Sequence, residues 1–306
     1  MEIFKKYFKI IVRIGIGLFF IVSAILKLLS LDNFELYIYS FNLMNLTWCG
    51  LAARAIIACE LLVGILLIIK MKYKFAWWIT LLMLVGFSLL LVYVILFRND
   101  SNCHCMGDLV EIKPSISLIK NLAGIVLLLF VRNEEDYQFR FKTLALVLAF
   151  VASFVPPFVL FPMDDLYDIF SKSSNQDFDE TAFNALMADS TMQEIRFDNG
   201  NYIVGIVSSG CQYCRTSSLK MSEIAKHNQL DTNRILYFIW GDSISIRQYK
   251  TETKSESFRF ITISPIQAIR VVNGHFPTYL FISDDDVKRT ADLRHLTEKN
   301  ISEHLK

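Results

Sequence analysis

Glycine is scarce in this chain, with 12 residues among 306, and the sequence shows no internal repeat. With 25 phenylalanines, this composition excludes a disordered or low-complexity chain. An excess of one charge is also missing. The 31 basic and 30 acidic side chains give a formal net charge of +1, which offers no reason to expect nucleic-acid binding. Cysteine is limited to six residues, but four of them form two closely spaced pairs. Those pairs are the main candidates for chemistry.

Hydrophobic residues make up 53% of the chain and are concentrated before Pro162. We therefore predict a five-span membrane domain over residues 1–162, a linker over 163–177 and a soluble domain over 178–306. A helix needs about 20 apolar residues to cross a bilayer core. Five segments qualify or nearly do: Ile10–Leu29, Trp48–Ile69, Phe75–Phe97, Ile116–Val131 and Leu144–Phe161. Pro156-Pro157 is expected to kink or end the fifth helix.

Lysine and arginine are distributed unevenly between the two sides of the predicted spans. The N-terminal arm and the second-to-third and fourth-to-fifth connections carry ten of them: Lys5, Lys6, Lys9, Arg13, Lys70, Lys72, Lys74, Arg132, Arg140 and Lys142. The opposite loops, 30–47 and 98–115, hold only Arg98 and Lys113. Because basic connections stay in the cytoplasm, five spans place the soluble domain outside. A bacterial inner membrane with a periplasmic soluble domain is the expected location.

The soluble domain alternates predicted strands and helices. The strands are Asn201–Ser208, Arg234–Trp240 and Thr278–Ile282, and the helices are Tyr213–His227 and Asp292–Lys306. Asp284-Asp285-Asp286 is expected to form a turn between two strands. Cys211 and Cys214 fall at a strand-to-helix junction, where their spacing permits a disulfide. The helix dipole is expected to lower the pKa of the Cys211 thiol.

This CxxC sequence and the later segment Gly274–Phe281 resemble the thioredoxin fold over roughly residues 178–306. The resemblance implies that Cys211 attacks and Cys214 resolves. It also implies that Pro277 is a cis-proline facing the dithiol, and that Phe276, Pro277 and Thr278 bind an extended substrate segment. His275, beside the proline, is expected to tune the dithiol.

The sequence departs from the thioredoxin pattern around the dithiol. Gln212-Tyr213 replaces the usual Gly-Pro, no Trp precedes the pair, and no buried acid is evident in the preceding strand. The redox potential and the direction of electron flow therefore stay open. A plain structural disulfide and a zinc site are the alternatives, although zinc needs two further ligands and this domain has no second CxxC.

The spans and the loop after the third span are similar to the DoxX and MauE group of membrane proteins over about residues 8–132. Three motifs carry the resemblance: Gly17-Leu18-Phe19-Phe20 followed by Ser23 and Lys27, Cys59-Glu60 with Gly64, and Cys103-His104-Cys105-Met106-Gly107. The resemblance implies a four-helix core, here with a fifth span, and thiol or sulfur redox chemistry. By analogy, the layout is also similar to quinone-linked bacterial relatives of vitamin K epoxide reductase.

Besides Arg13 near the inner end of the first span, four charged side chains lie inside the predicted spans, where charge is costly; a carboxylate near mid-membrane such as Glu60 is by default functional or paired. The four are Lys27, Arg54, Glu60 and Lys120. We expect them to bind a quinone, with Arg54 or a lysine donating to a carbonyl oxygen and Glu60 handling a proton. Snorkelling of the cations and a structural ion pair at Glu60 are the alternatives.

Cys103 and Cys105 are expected to form a labile redox pair, because a disulfide this close in sequence closes a small, strained ring. A protonated His104 would support a thiolate at either neighbour, and Cys49 could exchange with the pair. A structural clip is one alternative. The other is a Cu(I) site that uses His104 and Met106 in addition to the two thiols.

Cysteine is absent from every predicted inner connection, so no thiol pair faces the cytosol. We therefore predict a thiol-disulfide oxidoreductase in which Cys211–Cys214 passes electrons from exported thiol proteins to Cys103–Cys105 and then to a membrane quinone. The expected partners are exported proteins with thiols or disulfides, membrane lipid and quinone, without nucleic acid or a metal. A reductive thiol carrier, a copper-handling protein and a scaffold subunit are the alternatives.

Overall fold

The computed structural model describes residues 2–98, 100, 102–107, 110, 112–132, 135–137, 140–170, 178–189, 192, 197 and 200–306. The chain forms two compact units. The first consists of Met1–Ile38 and Trp48–Pro162, and the second of Tyr39–Thr47 and Met163–Lys306. The predicted fold class, a helical membrane bundle followed by an α/β domain, is confirmed.

Six α-helices precede Pro156 in the described part of the chain: α1 (Glu2–Leu29), α2 (Leu31–Tyr39), α3 (Leu46–Ile69), α4 (Tyr73–Phe97), α5 (Pro114–Phe130) and α6 (Lys142–Val155). Four helical segments are long and apolar enough to cross a membrane: Lys6–Leu29, Leu46–Ile69, Tyr73–Phe97 and Lys142–Leu160. They match the first, second, third and fifth predicted spans. The fourth corresponds to α5, whose 17 residues are at the short end of the length that a membrane span needs.

The proline pair acts at the end of the fifth span, as expected. Helix α6 ends at Val155 and gives way to a π-helical turn, Pro156–Leu160. A proline has no N–H group to donate, so a regular α-helix cannot continue unchanged through two of them.

Helices α1 and α3 touch at two glycines. A Cβ on Gly17 would lie 2.8 Å from the carbonyl oxygen of Gly64, and a Cβ on Gly64 would lie 2.8 Å from that of Gly17. Small residues at such a crossing let two membrane helices approach closely. Because Lys27 extends from α1 and Glu60 from α3, this contact brings their side chains within reach of each other.

The sequence predicts a loop over residues 30–47, whereas the structure has helix α2 there. Its nine residues are too few for a span, but they place apolar side chains on a buried face. Leu31 and Phe34 are buried in a cluster with Ala24, Ala53 and Ile57. The segment is therefore a short amphipathic helix packed on α1 and α3.

The second unit contains a five-stranded sheet: β1 (Asn201–Ser208), β2 (Ile235–Trp240), β3 (Arg259–Thr262), β4 (Thr278–Ser283) and β5 (Asp286–Ala291). The strand order is β3-β2-β1-β4-β5, and β4 runs antiparallel to both β1 and β5. The helices are α7 (Asp164–Phe170), α8 (Glu180–Met187), α9 (Gln212–His227), α10 (Ser243–Glu252), α11 (Pro265–Val272) and α12 (Glu298–Leu305). This arrangement is thioredoxin-like, as predicted.

Several elements of this unit differ from the predicted ones, and helices α8, α10 and α11 have no predicted counterpart. The closing helix begins at Glu298 rather than Asp292, because Thr297 caps it and the Asp292 carboxylate accepts from the N–H groups of Arg294 and His295 in a preceding turn. Strand β3 was missed. The first part of the expected linker, 163–177, forms helix α7, and residues 171–177 lie outside the described residues.

Candidate dithiol sites

Cys211 is the N-cap of α9, directly after the carboxyl end of β1. Its sulfur accepts a hydrogen bond of 3.2 Å from the backbone N–H of Cys214. Cys211 is partly exposed, whereas Cys214 is fully buried. A hydrogen bond from the Cys214 side chain, together with backbone N–H groups, lowers the pKa of Cys211 to about 6. Burial raises the pKa of Cys214. At neutral pH Cys211 is therefore a thiolate beside a protonated partner, which suits an attacking and a resolving thiol.

An open cavity of about 340 Å³ includes the expected docking segment. It is lined by Tyr213, Gly274, His275, Phe276, Pro277, Asp292, Leu293 and Arg294. The peptide bond between Phe276 and Pro277 is cis, as the thioredoxin resemblance predicts. Thr278 is not among the lining residues. It is buried, and its hydroxyl donates to the carbonyl oxygen of His275 at 2.6 Å, which fixes the shape of this loop.

A ring of buried hydroxyl groups lies beneath Cys214. The carbonyl oxygen of Cys214 accepts hydrogen bonds of 2.9 Å from Ser217 and from Tyr249. The Tyr279 hydroxyl donates to Ser217 at 2.8 Å, and Ser218 closes the ring with contacts of 2.6 Å to Tyr249 and 3.3 Å to Tyr279. Burial raises the pKa of Tyr279 to about 12. These hydroxyls therefore hold the resolving cysteine without adding charge beneath it.

The lowered pKa of Cys211 leads to a pH prediction. Only the thiolate reacts with iodoacetamide, so the rate at Cys211 should rise with pH around a midpoint near pH 6 and level off near neutral pH. Mass spectrometry of the reduced protein, quenched at timed intervals, would measure this rate. Cys214→Ala removes the main cause of the lowered pKa and should move the midpoint upward. A midpoint near 8.5 in the unchanged protein, as for an ordinary thiol, would contradict the assignment.

Cys103 and Cys105 also differ in their surroundings. The Cys103 thiol is 2% exposed and lies 3.0 Å from the Ser117 hydroxyl of α5, while its sulfur accepts from the Cys105 N–H at 3.2 Å. The Cys105 side chain, and next Ser117, lower the pKa of Cys103 to about 6 by hydrogen bonding to its sulfur, and the positive charge of Lys120 acts in the same direction. The hydrogen bond to Cys103 and burial raise the pKa of Cys105.

Gly107 allows the loop to lie directly on α1. Its φ of +68° belongs to the left-handed region, and a Cβ there would lie 2.5 Å from the carbonyl oxygen of Leu26. A glycine is therefore required at the second position after the Cys-x-Cys sequence. It permits a close approach that holds both cysteines against the first span.

A chain of polar contacts connects this loop to a buried ion pair. The Ser23 hydroxyl donates to the carbonyl oxygen of Cys105 at 3.1 Å. The Lys27 ammonium donates to Ser23 at 2.9 Å and to Glu60 Oε1 at 2.5 Å. Lys27 and Glu60 are each only 2% exposed. Within the described residues, Oε2 of Glu60 has no hydrogen-bond partner, although it is buried. The sequence marked both charges, but it did not show that they lie under the Cys-x-Cys loop.

Of the other two predicted cofactor ligands, Lys120 lies close enough to Lys27 and Glu60 to interact with both charges, whereas Arg54 belongs to a separate network. Lys120 packs over the Phe19 ring at 4.9 Å. Arg54 is 1% exposed and pairs with Glu35 at 2.9 Å. Its other contacts are the carbonyl oxygens of Gly50, Phe161 and Pro162, at 3.0, 2.9 and 3.0 Å. Arg54 therefore joins α2, α3 and the end of the fifth span, and this network does not include Glu60.

The residues expected to modulate the sites occupy three different environments. The His104 ring packs on Tyr37 of α2, with ring centroids 4.5 Å apart. Cys49 is fully buried in the first turn of α3, and His275 lines the cavity beside the cis-proline. No group of three or more His, Cys, Asp or Glu side chains in the described ranges is arranged to hold a metal ion.

Comparisons with known proteins found a match for the membrane region and a match for most of the chain. Residues 5–132 match the family model described as methylamine utilisation protein MauE. The chain is also 29% identical over 324 aligned residues to protein TlpB of Flavobacterium psychrophilum, an alignment that covers 85% of this chain and 84% of TlpB. No solved structure matches significantly. The predicted combination of a MauE-like membrane region with a thioredoxin-like domain is confirmed.

Proposed function

We propose that this protein is a membrane-bound thiol-disulfide oxidoreductase that oxidises the thiols of exported proteins and passes the electrons to a quinone. The observation that carries the proposal is the contact of the Cys-x-Cys loop, through Ser23, with the buried Lys27–Glu60 pair. A thiol pair, a buried proton-binding group and a buried cation lie together there, and this is the set of groups that two-electron, two-proton transfer to a membrane-dissolved acceptor requires.

Oxidation of the substrate takes place at the soluble dithiol. A substrate thiolate attacks Cys211 of the Cys211–Cys214 disulfide and releases Cys214, forming a mixed disulfide. The second substrate thiol then attacks the substrate sulfur of that mixed disulfide and releases Cys211 as a thiolate. The substrate leaves as a disulfide, and the CxxC pair holds two electrons. The lowered pKa of Cys211 supports this assignment, because a thiol of low pKa is the better leaving group.

The reduced CxxC pair then reduces the Cys103–Cys105 disulfide by thiol-disulfide exchange. Both pairs belong to one chain, which raises their effective concentration to roughly millimolar. The uneven distribution of basic residues supports a cytoplasmic N-terminus, and hence a periplasmic thioredoxin-like domain on the same side as this loop.

The residues beneath the loop fit a quinone head group. The Lys27 ammonium has three N–H groups, of which Ser23 and Glu60 accept two, and the third suits a carbonyl oxygen. Oε2 of Glu60 suits a hydroxyl proton. The rings of Phe34 and Phe87 lie 5.7 and 5.5 Å from the Lys27 nitrogen and offer flat apolar surfaces. A bound quinone would supply a two-electron acceptor that returns the loop pair to its disulfide.

Thiol trapping tests this relay. The full-length protein is reduced in lipid vesicles, freed of reductant and given a short-chain quinone. The reaction is quenched in acid, and the free thiols are then labelled with a maleimide whose added mass reports each of them. Both pairs should become oxidised only when quinone is present, and in Cys103→Ala/Cys105→Ala the CxxC pair should stay reduced. Cys59→Ala is the matched control and should behave as the unchanged chain.

Two outcomes would overturn the proposal. Oxidation of the CxxC pair at an equal rate without the loop cysteines would remove the relay. A CxxC pair that is mostly reduced in cells, whatever the quinone supply, would instead support a reductive thiol carrier for exported proteins.

A further inference from the structure

The two loop cysteines present different faces to an attacking thiol. Cys105 is a partly exposed residue, whereas Cys103 is 2% exposed and its sulfur is held against Ser117. Ser117 lies near the N-terminus of the 17-residue helix α5, which is the positive end of the helix dipole. Lys120 follows one turn after Ser117 on the same helix. Cys105 is therefore the accessible residue of the pair, and the Cys103 sulfur is placed where a thiolate is stabilised.

Resting on the proposed function, we propose that electrons enter the loop pair at Cys105, and that Cys103 is the thiolate released and then offered to the membrane acceptor. Ser117 acts as a positioning residue that holds the departing sulfur. The proposed relay specifies neither which loop cysteine reacts first nor a role for Ser117.

The exchange balances without an outside reagent. The Cys211 thiolate attacks the sulfur of Cys105, and the Cys103–Cys105 bond breaks with its electron pair moving to Cys103. Cys214 then loses its proton and attacks Cys211, which releases Cys105 as a thiolate that takes up a proton. The CxxC pair has lost two electrons and the loop pair has gained them. One proton has moved from Cys214 to Cys105. A quinone bound beside the Lys27–Glu60 pair would supply the acceptor for the two electrons now held by the loop pair.

The surroundings of the two sulfurs favour this order over the reverse. In thiol-disulfide exchange the thiol of lower pKa leaves faster. In the reduced loop, hydrogen bonds from Cys105 and next from Ser117 lower the pKa of Cys103 to about 6, and Ser117 and Lys120 still act in this direction when Cys105 is bonded to Cys211. The hydrogen bond to Cys103 and burial raise the pKa of Cys105. The reverse order would require Cys211 to reach the buried sulfur and to expel the thiolate that its surroundings stabilise less.

A matched pair of double variants of the full-length chain tests the order. Cys103→Ser/Cys214→Ser leaves Cys105 and Cys211 as candidates for a trapped bond, and Cys105→Ser/Cys214→Ser leaves Cys103 and Cys211. Both are treated with glutathione disulfide in vesicles, and the linked peptides are quantified by mass spectrometry. The Cys105–Cys211 bond should form in at least about tenfold higher yield than Cys103–Cys211, since only Cys105 is accessible.

Each result has one reading. Equal yields, or more of the Cys103–Cys211 bond, would overturn the order of the cysteines and leave the relay standing. The absence of either bond, in protein whose Cys211 still reacts with iodoacetamide, would overturn the relay and with it this inference.

Ser117→Ala gives a second test that leaves all cysteines in place. Loss of the hydroxyl should raise the pKa of Cys103, and transfer from the CxxC pair to the loop should slow by about threefold for a tenfold weaker acid. The pH dependence of that rate should stay set by the attacking Cys211, whereas the pH midpoint for ionisation of Cys103 in the reduced protein, followed by thiolate absorbance, should move upward. Ser117→Thr should restore both the rate and this midpoint. Ser115→Ala, an exposed serine of the same helix, is the control. Equal behaviour of the two alanine variants would contradict a part for Ser117.

Discussion

Replacing Glu60 by glutamine should destabilise the membrane unit by about 3–5 kcal/mol, because Lys27 would keep its charge in a buried site without a carboxylate. The pair is 2.5 Å apart, and both side chains are almost completely excluded from solvent. Neutralising both partners, in Lys27→Met/Glu60→Gln, should recover most of the lost stability, since no unpaired charge remains. Unfolding of the detergent-solubilised protein with increasing denaturant would measure both changes.

The double variant also tests whether the Lys27–Glu60 pair has only a structural role or also takes part in the reaction with quinone. If the pair serves the quinone, the folded double variant should transfer electrons from the CxxC pair to the loop normally but fail to reoxidise the loop with quinone. If the pair only holds the helices together, reoxidation should proceed at the rate of the unchanged protein, and the proposed quinone site would be wrong. Lys120→Met tests in the same assay whether the neighbouring cation contributes.

The membrane helices could be predicted because a bilayer imposes a length and a composition on each span. Four segments satisfied both conditions in the sequence and in the structure. Helix α2 could not be recognised this way. Its nine residues bury one face against α1 and α3, and the sequence alone gives no reason to pair that face with two helices that lie before and after it in the chain.

The soluble dithiol could be predicted because its spacing and the strand before it are local features. The cis-proline followed from the thioredoxin resemblance and is present. The hydroxyl ring could not be predicted, because Ser217 and Tyr279 are 62 residues apart and meet only when β4 pairs with β1 and α9 packs on the sheet. The strand before the dithiol contains no acidic residue. The neutral hydroxyl groups that take that place come from α9, α10 and β4, so no single stretch of sequence shows them together.

The charged residues of the spans belong to separate networks, and the sequence did not indicate which residues belong together. All four charges stood out because charge is costly inside a membrane. Which of them meet depends on how each helix is rotated, and that follows from contacts such as the crossing of Gly17 and Gly64. Ser117 carried no signal of its own, since serine is common in membrane helices, and Ser23 was marked only by the resemblance to the DoxX and MauE group. They matter here because each touches the Cys-x-Cys loop.

Arg54→Met should destabilise the membrane unit by about 3–5 kcal/mol while leaving the rate of quinone reoxidation per folded molecule unchanged. The substitution removes the ion pair with the partly buried carboxylate of Glu35 and hydrogen bonds to three carbonyl oxygens. Arg54→Lys keeps the charge but cannot reproduce the guanidinium fork, so we expect an intermediate loss of stability. The same denaturant titration and the same quinone assay measure both variants.

The two readouts together decide what Arg54 is for. An arginine that joins α2, α3 and the end of the fifth span affects unfolding, whereas a ligand of the quinone affects reoxidation at a given quinone concentration. Arg54→Met/Glu35→Gln also removes the charge of Glu35 and should recover part of the stability, which a cofactor ligand would not require. An Arg54→Met protein of normal stability that needs much more quinone would reverse the assignment and return Arg54 to the cofactor site that the sequence predicted for it.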